Sequence, residues 1–90
     1  EWMNDVSGER QGVITMVYDH DHRGLMEAIT EIQHSNRHIV QSTIHSHVSD
    51  ERCLEVILVR GQGEQLKQLA ERLMSLKGVE SVKLTTIKTD

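Results

Sequence analysis

The stretch Ile44-His45-Ser46-His47-Val48-Ser49-Asp50-Glu51-Arg52-Cys53-Leu54-Glu55-Val56-Ile57-Leu58-Val59 reads as two strands joined by the polar turn Ser49 to Arg52. Both strands are rich in β-prone residues, with Val40, Ile44 and Val48 alternating on the first and Leu54, Val56 and Leu58 on the second. Side chains two apart in a strand point the same way, so His45 and His47 share a face. Cys53, Glu55 and Ile57 share one face of the second strand, and Leu54, Val56 and Leu58 share the other. Packing the aliphatic faces of both strands on one core predicts that His45, His47 and Cys53 converge on the opposite, open face. Two imidazoles and a thiol gathered there amount to three of the four donors of a metal site.

Outward from this hairpin, Gly12 to Tyr18 is a β-rich run, followed by the polar turn Asp19-His20-Asp21-His22. Leu25, Met26, Ile29 and Ile32 then fall at helical spacing, which predicts an amphipathic helix from about His22 to Asn36 with Asp21 as its N-cap. After the hairpin, Gly61-Gln62-Gly63 punctuates the chain, and Leu66, Leu69, Ala70, Leu73 and Leu76 mark a second helix. Lys77-Gly78 ends that helix with a basic last turn and a residue suited to a left-handed cap, and a final β-prone segment runs from about Val79 to Lys88. The order βαββαβ predicts an α+β, ferredoxin-like (ACT-type) sandwich, with two helices on one face of a four-stranded antiparallel sheet. Residues 1–11, polar and carrying Trp2 and Met3, read as a linker or disordered terminus, and 12–90 as the domain. Val17, Gln41, Thr43 and Ile57 are expected beside the histidines on the open face, a mixed surface able to dock on a second copy of the chain.

The composition narrows the function. With no Phe, one Tyr and one Trp in 90 residues, the core must come from Leu, Ile, Val and Met, and such a small domain gains from association or a bound metal. A net charge of -4 argues against this segment contacting nucleic acid itself, since phosphate contacts need a basic stripe. One cysteine excludes an internal disulfide and fits a reducing cytoplasm, and no apolar run approaches the roughly 18 residues of a membrane span. No catalytic role is expected: Gly61-Gln62-Gly63 is not a phosphate-binding motif, and a closed His-Cys metal site leaves little room for a substrate.

Six histidines are the compositional oddity. His34, on the last turn of the first helix, is a candidate ligand with a geometric obstacle, because its helix is expected to cover the face away from His45 and His47. It could reach a metal on a neighbouring subunit. His20, His22 and His38 sit at element boundaries among charged residues and read as solvated. Glu55, beside Cys53, is placed to accept a hydrogen bond from a ligand imidazole and fix its tautomer.

These residues resemble the nickel-responsive transcriptional repressors, the NikR family, in their C-terminal metal-sensing and tetramerisation domain. The resemblance runs from about Gly12 to Lys88, through Val17-Tyr18-Asp19-His20, Gln33-His34, Ile44-His45-Ser46-His47, Cys53-Leu54-Glu55-Val56 and Lys77-Gly78-Val79. Its most specific part is the spacing from His34 to His45, His47 and Cys53. The resemblance implies one nickel ion, Ni(2+), per subunit in a square-planar site made by His45, His47 and Cys53 of one chain and His34 of another. That geometry suits Ni(II) or Cu(II) better than Zn(II). It also implies a homotetramer built as a dimer of dimers, a first helix ordered by the metal, and supporting roles for Tyr18, Gln33 and Glu55. Backbone carbonyls near Met74, Leu76 and Val79 resemble a secondary cation site. DNA would be read only through an N-terminal ribbon-helix-helix domain not present here. Ser46 departs from the aliphatic residue usual at the middle of the H-x-H. The alternative is an ACT-type regulatory domain that binds an amino acid at a subunit interface, which shares the same element order.

Overall fold

The computed structural model describes residues 7–90. The elements follow the expected order: β1 (Glu9–Asp19), α1 (Leu25–Ser35), β2 (Val40–His47), β3 (Arg52–Gln62), α2 (Gly63–Met74) and β4 (Val79–Lys88). The four strands form one sheet in the order β2-β3-β1-β4, with every neighbouring pair antiparallel. Of the terminal segment expected as linker, residues 1–6 lie outside the described residues, while Glu9 to Gln11 already pair with β3 as the start of β1.

The two helices cover one sheet face. Ile14, Met16 and Tyr18 of β1, Cys53, Ile57 and Val59 of β3, and Val82 and Leu84 of β4 are buried in one core with Leu25, Ile29 and Ile32 of α1 and Leu66, Leu69, Ala70 and Leu73 of α2. This reverses the side expected from the hairpin alone. Ile57 is under the helices, and Leu54, Val56 and Leu58 are half-buried on the face that no helix covers. The reason is that register locks the faces of adjacent strands together. Choosing Leu54, Val56 and Leu58 as the inner set would bring Thr15 of β1 and Lys83 of β4 inward with them, because Val56, Thr15 and Lys83 lie in one cross-strand row. The alternative row, Ile57, Ile14 and Leu84, is wholly apolar.

α1 is shorter at its start than expected. Asp21 does not cap it: Gly24, with φ 79°, occupies that place, and the Asp21 backbone N–H donates to the Asp19 carboxylate at 2.9 Å in a local turn. β3 runs through Gly61 to Gln62, so the glycines do not form a loop. α2 begins at Gly63, with the Gln65 side chain accepting from the Gln62 N–H at 3.2 Å. α2 ends at Met74, and Gly78 takes φ 94° in the turn to β4, where the Asp19 N–H donates to its carbonyl at 2.9 Å.

Candidate metal centre

β2 is an edge strand, and its pairing with β3 places the candidate donors. His45 stands opposite Glu55, and His47 opposite Cys53. Since Cys53 and Glu55 are on the helix-covered side, His45 and His47 share that side too. The expected convergence on the open face is therefore corrected, while the grouping of the residues on one face stands. The turn that joins the strands is closed by Val48 and Ser49 N–H groups donating to the Arg52 carbonyl at 2.9 and 3.3 Å.

Glu55 is the polar centre of this arrangement. Its side chain is 1% exposed, and the same β3 pleat that buries Ile57 carries it into the core. The Tyr18 hydroxyl donates to its Oε1 at 3.0 Å, and the Gln33 amide of α1 donates to its Oε2. His45 Nε2 lies 3.5 Å from the same Oε2. A buried carboxylate requires such partners, since an unpaired charge in the interior is strongly disfavoured. Burial above all, then the side-chain hydrogen bond with Cys53 and the charge of Glu55, raise the Tyr18 phenol above its ordinary value of 10.0.

Gln33 also removes the geometric obstacle raised for His34. The end of α1 lies over the side of the sheet that carries His45, not over the opposite face. His34, one residue further along the helix, is exposed and lines a shallow cleft with Thr30, Arg37, Val40 and Thr43 between α1 and β2. Cys53 is 5% exposed, and His47 is exposed at the end of β2. Among the described residues, no group of three or more His, Cys, Asp or Glu is gathered closely enough to hold a metal within one chain.

His20, read from the sequence as solvated, is instead tied to the hairpin. Its ring packs edge-on against that of His47, with centroids 5.6 Å apart and planes at 79°. The signal for this was the β1–β3 pairing, which ends at Asp19 opposite Arg52 and so delivers His20 to the hairpin turn. His22 and His38 are exposed, as expected. Near the secondary cation site implied by the resemblance, the Leu76 carbonyl accepts from the Val79 N–H at 3.3 Å.

In donor type, though not in closeness within one chain, the set suits a nickel ion. Two imidazoles and a thiol share one face, and a buried carboxylate is in place to orient one imidazole from behind.

Comparison with known proteins agrees with this chemistry. Residues 11–87 match the family described as NikR C terminal nickel binding domain. A protein of Methanocella arvoryzae that carries the words nickel-responsive regulator in its name is 53% identical over 97% of this chain. A like-named protein of Methanothrix thermoacetophila is 54% identical over 96% of it. The chain spans 62% and 61% of the length of these two relatives. Among solved structures, the ACT domain of a GTP pyrophosphokinase of Chlorobium tepidum superposes with a TM-score of 0.66 at 18% identity, covering 84% of this chain and 85% of that one. That likeness establishes the ACT-type fold and nothing further.

Proposed function

The chain belongs to the NikR family, as its C-terminal nickel-binding domain, and from that premise we propose that it is the nickel-sensing and oligomerisation domain of a nickel-responsive transcriptional repressor. His45, His47 and Cys53 of one chain and His34 of another hold one nickel ion between subunits. The observation that carries this reading is the buried Glu55 carboxylate, held by Tyr18 and Gln33 and facing His45 Nε2. A proton on Nε2 shared with that carboxylate leaves Nδ1 of His45 as the lone-pair donor. The nickel supplies a cross-link between subunits when bound. Gln33 and His34 are adjacent on α1, so the helix that steadies Glu55 in its own chain also offers a ligand to the neighbour.

The assembly we propose is a homotetramer, a dimer of dimers, in which the uncovered sheet face carrying Val56 and Leu58 packs against another copy. DNA is read by a ribbon-helix-helix domain elsewhere in the protein, and metal occupancy biases how a pair of such domains is set on its operator. A ligand thiolate needs a reducing compartment, and the cytoplasm is the location we propose on that ground.

The test is a nickel titration of the purified chain followed by absorption. One equivalent per chain should produce a thiolate-to-nickel band that Cys53→Ala abolishes. Apparent affinity should fall as pH is lowered, because thiol and imidazole must release protons to bind. Unchanged binding by Cys53→Ala would refute the site. A thermal shift produced by an amino acid and not by nickel would favour the amino-acid-binding alternative.

A further inference from the structure

We infer that His20 is a positioning residue for the nickel centre proposed above, its ring bracing the imidazole of His47 from the β1–α1 turn. The inference rests on that reading of the hairpin and adds a residue outside its ligand set. His20 is fastened to the hairpin turn at two points: its backbone N–H donates to the Glu51 carbonyl at 2.8 Å, and ring Nε2 lies 3.0 Å from the Asp50 carbonyl oxygen. Ring Nδ1 lies 3.1 Å from the Asp21 carboxylate. With Nε2 against one carbonyl oxygen and Nδ1 beside a carboxylate, the ring's orientation is set, its side chain is 30% exposed, and what it offers His47 is its carbon framework.

His47 needs such a support. It is the last residue of an edge strand and is exposed, so the described chain offers it little other packing. A ligand free to sample rotamers must give up that freedom when it binds an ion, and a neighbouring ring that restricts it beforehand lowers the cost. Asp19 ends β1 opposite Arg52, so the brace is set by strand register and not by a free loop.

The experiment compares nickel titrations of the parent chain, His20→Gln and His20→Phe, together with metal-free melting temperatures. Gln can still donate to the Asp50 carbonyl but removes the ring, whereas Phe keeps a ring against His47 and removes the nitrogens. The expected result is that His20→Gln binds about ten-fold more weakly with its thiolate band retained, while His20→Phe stays within about three-fold of the parent, in line with effects of residues that orient metal ligands. All three metal-free melting temperatures should agree. Parent-like affinity in His20→Gln overturns the inference, and so does a loss in His20→Phe as large as in His20→Gln. A parent chain that gives no thiolate band at all refutes the nickel reading itself, and this inference falls with it.

Discussion

At the scale of single residues, Glu55 has the largest expected effect. Glu55→Ala strands two donors, the Tyr18 hydroxyl and the Gln33 amide, in the interior. Loss of a charged hydrogen-bond partner with burial of unsatisfied groups predicts about 3 kcal/mol of destabilisation, read as a lower urea midpoint. Tyr18→Phe removes one of those bonds and should cost about 1.5 kcal/mol in the same assay. Tyr18 also makes stability depend on alkali. In the fold its phenol is held above the ordinary value of 10.0, chiefly by burial, while in the unfolded chain it ionises near that value. The unfolded state therefore releases a proton that the folded state keeps, and stability falls as pH rises past about 10, with the contribution intact below it. Thermal melts at pH 8 and pH 11 would check this. Tyr18 is the chain's one tyrosine, so tyrosinate absorbance should appear together with unfolding and not before it.

At the scale of elements, the α2–β4 turn and the start of α1 are fitted to one another. Gly78 has φ 94°, and a Cβ there would stand 2.7 Å from the His22 ring and 2.9 Å from Leu25 Cδ2. Gly78→Ala thus meets backbone strain and a clash together, and should destabilise by about 2 to 3 kcal/mol, measured by chemical denaturation. The sequence pointed to Gly78 as a left-handed residue, since Lys77-Gly78 follows a run of helical leucines. The contact with His22 and Leu25 was not legible, because it joins elements more than fifty residues apart in the chain. α1 shows the same division. Its apolar stripe was readable from Leu25, Ile29 and Ile32, whereas its start at Leu25 was set by Asp19 engaging Asp21 in a turn.

At the scale of the whole molecule, the uncovered sheet face is where copies should meet. Ile44 and Ile87 are 66% and 67% exposed, and Val56 lies between Ile44 and Thr15 in the cross-strand pairing. Val56→Lys should reduce the mass in solution, measured by light scattering, from the tetramer of the proposed assembly to a smaller species, because a charge in an apolar contact is strongly disfavoured. His34→Ala should instead leave the hairpin donors of each chain in place and lower nickel affinity, separating the ligand supplied across the interface from the interface itself.

Periodicity and spacing along the chain determined the βαββαβ order, the two amphipathic helices and the grouping of His45, His47, Cys53 and Glu55 on one face. These are local properties, since a pleat of period two and a helix of period 3.6 are written in neighbouring residues. Tertiary structure alone decided which face the helices cover. Leu54, Val56 and Leu58 are the more apolar side of β3, yet they lie outward, because burying them would have carried Thr15 and Lys83 inward in the same row. The same choice put Glu55 in the interior with Tyr18 and Gln33 and brought His20 against His47, contacts that depend on how three strands and a helix add up and not on any one segment.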